Sequence, residues 1–116
     1  MNSKKILIIM KETPFSGGDV TERLRFALGV TAGYYEHKAD LFLVEDAVYL
    51  LKISGQSGEA SRYLNSFKLN GFSIYVDLDS IRERKIDEKL IEAPFVKLER
   101  QKLPELMEQS DVVFSL

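Results

Sequence analysis

The residues of this chain best equipped for chemistry are concentrated in twelve positions, SIYVDLDSIRER, Ser73 to Arg84. The stretch starts as a buried strand and ends in carboxylates, a hydroxyl and two guanidinium groups. Asp77 and Asp79 straddle Leu78, so in an extended strand they share a face. Two close carboxylates can hold a divalent cation or divide the roles of acid and base. The simpler expectation is solvation at the strand end, or pairing with Arg82 or Arg84. Ser80 has no adjacent histidine or lysine to activate it and reads as a cap or turn hydroxyl.

A second candidate is SGGD, Ser16 to Asp19. It precedes a helix, where backbone N–H groups of Ser16, Gly17 and Gly18 can cradle an anion. It lacks GxGxxG and the Walker lysine and hydroxyl. Asp19 at the cap also repels phosphate, so a turn and helix cap is the plainer reading. The lone histidine, His37, falls at the expected end of the first long helix, where a cation is favoured electrostatically. The chain has no cysteine and only this one histidine. Disulfides, thiolate or multi-histidine metal sites and a thiol nucleophile are thereby excluded. Neither a metal nor a cofactor is expected.

The elements that must position these groups alternate. KKILIIM (Lys4–Met10) is an apolar run without alternation, as for a strand covered on both faces. A loop with Pro14, Gly17 and Gly18 leads to a helix over roughly Val20 to His37. Val20, Leu24, Ala27, Leu28, Thr31 and Tyr35 form one face of it. ADLFLVED (Ala39–Asp46) is a second strand, and DAVYLLK a short helix over its end. Ile53–Gly58 is a polar loop, and Glu59–Gly71 a helix closed by an Asn-Gly stop. FSIYVDL is the third strand. IRERKIDEKLIEA is a short helix or loop, and PFVKLE (Pro94–Glu99) a fourth strand. KLPELMEQS is a helix with Pro104 in its first turn, and DVVFSL a final strand. Such alternation means parallel βαβ units with right-handed crossovers in a three-layer α/β/α sandwich. Ligands in such folds sit outside the carboxyl ends of the strands. Glu12–Asp19, Glu45–Tyr49, Asp77–Arg84 and Glu99–Lys102 all meet that edge.

The chain has 116 residues, 45% of them hydrophobic, which suits one domain over 1–116 with a real core. A net charge of −2 gives no footprint for nucleic acid. No apolar stretch approaches the roughly 20 residues that cross a bilayer. The run Ile6–Met10 is followed at once by Lys11 and Glu12, so it is a first strand and not a secretory signal. The expected location is cytoplasmic. The first long helix has a second apolar side, with Phe26 and Val30 four apart and Gly29 and Gly33 four apart beside them. That side faces either neighbouring helices of the same layer or a partner subunit.

In this layout KKILIIMKETPFSGGDVTERLRFALGVTAGYYEHKADLFLVEDAVYLL resembles the start of the DsrE/DsrF-like family of small sulfur-relay proteins, which includes the Tus and Dsr subunits of bacteria. DLFLVEDAVYLL is similar to the family's strand and acidic-small-Val-Tyr helix start. LPELMEQSDVVFSL is similar to its closing helix and last strand. The resemblance implies a five-stranded, mainly parallel sheet and persulfide relay through a cysteine just after the third strand. Here that place falls at Val76 or Asp77, and neither holds a persulfide. RERKIDE resembles the family's Arg-rich segment, so Arg82 and Arg84 remain able to bind an anion or a partner's acidic surface.

Three functions compete. The first is a non-catalytic DsrE-like protein, a homo-oligomer or a hetero-oligomer with cysteine-bearing paralogues, accessory to sulfur trafficking. The second is a small-molecule or anion-binding protein whose strand-end cleft is lined by Tyr49, Asp77, Asp79, Arg82 and Arg84. The third is a metal-assisted hydrolase with Asp77 or Asp79 as base, for which nothing in the sequence completes a site.

Overall fold

Because both faces of the first strand are covered, its sequence has no polar alternation. The computed structural model describes residues 4–11, 19–31, 38–53, 59–69, 71–92 and 95–116, with the backbone alone at 19–21, 30–31, 53 and 59–60. Strand β1 (Lys5–Met10) is buried from Ile6 onward. Helix α1 (Asp19–Thr31) follows, then β2 (Lys38–Leu43). A 3-10 helix (Glu45–Tyr49) runs into the short α2 (Leu50–Ile53), and α3 (Glu59–Leu69) leads to β3 (Ile74–Asp77). Helix α4 (Leu78–Glu83) and a 3-10 turn (Glu88–Leu90) precede β4 (Phe95–Leu98). A second 3-10 turn (Arg100–Lys102), α5 (Leu103–Gln109) and β5 (Val112–Ser115) complete the described elements.

The five strands form one wholly parallel sheet in the order β4-β3-β2-β1-β5. From β1 to β4 the chain steps one place at a time in one direction. Right-handed crossovers therefore put α1 to α4 on one face. The return from β4 to β5 reverses direction and puts α5 on the other. The two cores follow this division. Ile6, Ile8, Met10, Leu41, Leu43, Ile74 and Val76 pack with Leu24, Ala27, Leu64 and Phe67 of α1 and α3. Leu7, Ile9, Phe42 and Val44 form a smaller cluster under Leu103 and Leu106. Burying each such side chain contributes roughly 1.5–3 kcal/mol. One two-turn helix cannot cover five strands, and Val96, Met107 and Val113 stay substantially exposed.

Of the expected Asn-Gly stop, the glycine closes the helix as its sequence implies, while Asn70 lies outside the described residues. Gly71 adopts φ 77°, its N–H reaches the Lys68 carbonyl, and the Phe72 N–H reaches that of Phe67. The rings of Phe67 and Phe72 then meet edge-on at 6.1 Å, closing the helix with an apolar contact. The expected extension of the first helix to His37 crosses residues 32–37, which lie outside the described residues.

Candidate functional site

One buried carboxylate ties together the carboxyl ends of three neighbouring strands. Asp77 ends β3 and is fully buried. Its Oδ1 accepts the Asp79 N–H at 3.2 Å, which makes Asp77 the N-cap of α4. Its Oδ2 accepts the Ser80 hydroxyl at 2.6 Å and the Nε–H of Arg100 at 2.9 Å, with Nη2 of the same guanidinium also 2.9 Å away as an ion pair. Ser80, equally buried, in turn accepts Nη2 of Arg100 at 3.0 Å and the N–H of Glu45 at 2.8 Å. Glu83 accepts a further bond from Nη2 of Arg100 at 3.1 Å. Glu45 follows β2 and Arg100 follows β4, so the cluster spans β2, β3 and β4.

A buried charge is tolerated only when paired and hydrogen-bonded, and Asp77 meets both conditions. Its hydrogen bonds to Glu83, and next to Asp77, raise the Arg100 pKa above the ordinary arginine value. The guanidinium therefore stays charged at any working pH. Among the described residues no buried side-chain nitrogen or oxygen lacks a partner. The Ser80 proton is given to Asp77, both groups are closed to solvent, and the cluster holds rather than reacts. Glu45 sits at φ 51°, a left-handed conformation that costs a non-glycine residue about 1 kcal/mol. Its bond to Ser80 holds it there.

This geometry corrects several expectations. Asp77 and Asp79 do not share a strand face, because the strand ends at Asp77 and Asp79 lies in the first turn of α4. The partner of Asp77 is Arg100, and neither Arg82 nor Arg84. Arg82 pairs with Glu88 at 3.1 Å, while Arg84 pairs with Asp46 at 2.9 Å and Glu83 at 3.6 Å. Both arginines thus have acidic neighbours already. Tyr49 packs against the core on the α1–α3 face, with the Lys52 ammonium 5.6 Å from its ring centre. Ser16, Gly17 and Gly18 lie outside the described residues. Ser80 is the hydroxyl of a helix's first turn, as its sequence context implies. Arg100 escaped sequence reasoning, although its segment falls at the right edge. Only the adjacency of β3 and β4 points it at Asp77.

Beside Arg100, between β1, β5 and α5, lies a cavity of about 390 Å³. Ile9, Val44 and Leu103 give it an apolar lining, and Lys11, Glu45 and Arg100 bring charge. It lies where strand order reverses, with β2 on one side of β1 and β5 on the other. That is where open α/β sheets bind ligands. Among the described residues no group of three or more His, Asp or Glu side chains is placed to hold a metal ion. No described helix is long and apolar enough to cross a membrane.

On α1, Phe26 is 45% exposed and meets Phe114 edge-on at 5.5 Å, so it covers the margin of β5. Gly29 is exposed, with open space where a side chain would point. Val30 is described in its backbone alone, and Gly33 lies outside the described residues.

The model of the DsrE/DsrF-like family matches residues 4–116. The chain also superposes on the crystal structure of the ychN protein from E. coli with a TM-score of 0.83. The two are 18% identical, and the match covers 97% of this chain and 99% of that one. At that identity the likeness establishes the fold. No curated protein matches the chain.

Proposed function

On the premise that the chain belongs to the DsrE/DsrF-like family, we propose that it serves intracellular sulfur trafficking as a non-catalytic, oligomeric subunit or accessory unable to carry a persulfide. The observation behind this is the state of position 77. The family resemblance puts the relay thiol at Val76 or Asp77. Here both side chains are buried, neither is a thiol, and the chain has no cysteine anywhere. Sulfur transfer needs a thiolate. Asp77 instead locks three strand ends in place, which suits a chain that shapes an assembly and leaves the chemistry to a partner. The partner we propose is a second copy or a cysteine-bearing paralogue, met through the side of α1 that carries Phe26 and Gly29, the side to which the sequence pattern also assigns Val30 and Gly33. The proposed compartment is the cytoplasm.

Light scattering on the purified chain, alone and mixed with cysteine-bearing paralogues, tests this. The expected result is a stable oligomer or a mixed complex. A monomer that persists at high concentration and ignores every paralogue would refute it.

A second reading, a small-molecule or anion-binding protein, is favoured by the cavity at the strand ends. Stabilisation in a thermal-shift screen of amino acids, nucleotides and sulfur oxyanions is its expected signature. A screen without any stabilisation removes it.

A further inference from the structure

The strand-end cavity has an unusual set of unused groups. Lys11 makes no side-chain hydrogen bond or ion pair among the described residues, and neither does the carboxylate of Glu45. Arg100 is fixed through Nε and Nη2, while its Nη1 has no partner among the described residues. All three residues line the same cavity.

They are also close together by construction. The Met10↔Leu43 register and the bond from the Val44 N–H to the Met10 carbonyl place Lys11 and Glu45 at adjoining strand ends. The Glu45 N–H and Nη2 of Arg100 bond to one and the same oxygen, that of Ser80. Among the described residues, one ammonium (Lys11) and one carboxylate (Glu45) thus stand without a side-chain partner around one space, beside the free Nη1 of an Arg100 already paired with Asp77 and Glu83. Beside them Ile9, Val44, Leu103, Met107 and Val113 offer apolar surface. Glu45 is held at φ 51° to reach its place, and strain of this kind is concentrated at ligand sites.

We propose that this cavity binds a free α-amino acid with a large apolar side chain. The carboxylate sits between Lys11 and Nη1 of Arg100, the ammonium meets Glu45, and the side chain lies on Ile9, Val44 and Met107. The charges decide the class. A phosphate dianion would set both its charges against Glu45 and the nearby Asp77 and Glu83, whereas a zwitterion turns one negative charge to Lys11 and Nη1 of Arg100 and its positive charge to Glu45. The volume of about 390 Å³ accommodates phenylalanine, leucine or methionine. This inference rests on the small-molecule reading of the cleft and is independent of any role in sulfur relay.

The test is calorimetric titration of the full chain with L-phenylalanine, L-leucine and L-methionine, with amide NMR shifts to locate the site. At least one should bind saturably below about 1 mM and shift residues of β1, β5 and α5. Phenylacetate lacks the ammonium and phenethylamine lacks the carboxylate, and each should bind at least about tenfold more weakly than phenylalanine. Lys11→Ala and Glu45→Gln alter exposed side chains and should fold normally while weakening binding about tenfold each. No saturation by any of the three up to about 10 mM overturns the proposal, as does equal binding of phenylacetate. Full affinity in both variants, or shifts confined to another face, overturns it as well. Light scattering on the same samples shows whether a second copy seals this face, and an oligomer that binds none of the three also counts against it. If another ligand class stabilises the chain in the thermal screen while the amino acids stay silent, the small-molecule reading survives and this inference fails.

Discussion

Replacing Asp77 by asparagine removes one charge from a fully buried position and almost no volume. The cap bond to the Asp79 N–H can survive, since asparagine caps as well as aspartate. The other oxygen becomes an NH2 that faces only donors, the Ser80 hydroxyl and the Arg100 guanidinium. Flipping the amide rescues those contacts and breaks the cap, so a bond is lost in either orientation. A buried hydrogen bond to a charged group contributes about 1.5–3 kcal/mol, and the Ser80 bond is of this kind. The Arg100 side chain is 42% exposed, so water recovers much of its share and about 1 kcal/mol is left. The expected loss is about 3 kcal/mol, or roughly 12 °C in Tm for a chain of this size. The Arg100 pKa is raised by Glu83 first and Asp77 second. A base with a raised folded pKa contributes below its unfolded pKa and loses that contribution only as pH climbs through the folded one. The deficit of Asp77→Asn should therefore be constant from about pH 6 to pH 10. Urea melts of wild type and variant across that range, with Asp79→Asn as the matched control, measure it. The Asp79 carboxylate has no partner among the described residues and should cost less than about 1 kcal/mol. A deficit below about 1 kcal/mol, or one that shrinks towards pH 10, would refute the idea that this carboxylate locks the strand ends.

Ser80→Ala should cost about 2 kcal/mol in the same melts, because it strips the Glu45 N–H of its acceptor and Asp77 of a donor. At position 45 the left-handed backbone predicts an order. Glu45→Gly should stay within about 0.5 kcal/mol of wild type, since relief of strain offsets the added freedom of the unfolded chain. Glu45→Val should lose about 1–2 kcal/mol, and equal stability of the two would mean that φ 51° imposes no strain in solution. Phe26→Ser should lose about 1–2 kcal/mol of stability with the Phe114 edge contact. If the α1 side is the oligomer contact, the same variant should lower the solution mass, and an unchanged mass removes that side from the assembly.

The layout was legible wherever period and punctuation act locally. KKILIIM announces a doubly covered strand by its lack of alternation, and Asn70-Gly71 announces the end of a helix that needs a positive φ. The site was legible as an edge but not as a set of partners. Arg82 and Arg84, near Asp77 in sequence, turn away towards Glu88 and Asp46 because α4 begins at once after the strand. Arg100 lies 23 positions from Asp77 and becomes its partner only because β3 and β4 are neighbours. Period-two and 3.6-residue patterns place side chains on faces but do not rank the strands within a sheet. The cavity was hidden for the same reason, since Lys11, Glu45 and Arg100 come from three separate stretches that strand order alone assembles.

Strand order also sets a timetable. Pairing β1 with β2, β2 with β3 and β3 with β4 each closes a short loop between consecutive strands. Pairing β1 with β5 joins positions such as Lys5 and Asp111, 106 residues apart. Distant closures carry the larger entropic cost and come late, so β5 and the overlying α5 dock last onto a sheet already built. They are also the unit that should detach first, as the least stable cooperative piece of the native molecule. Hydrogen exchange should find the amides of β5 and α5 opening before those of β2 and β3. The cavity, walled on one side by this late-docking unit, would then open and close with it, and an occupant would act as a latch, slowing exchange there more than anywhere else in the fold.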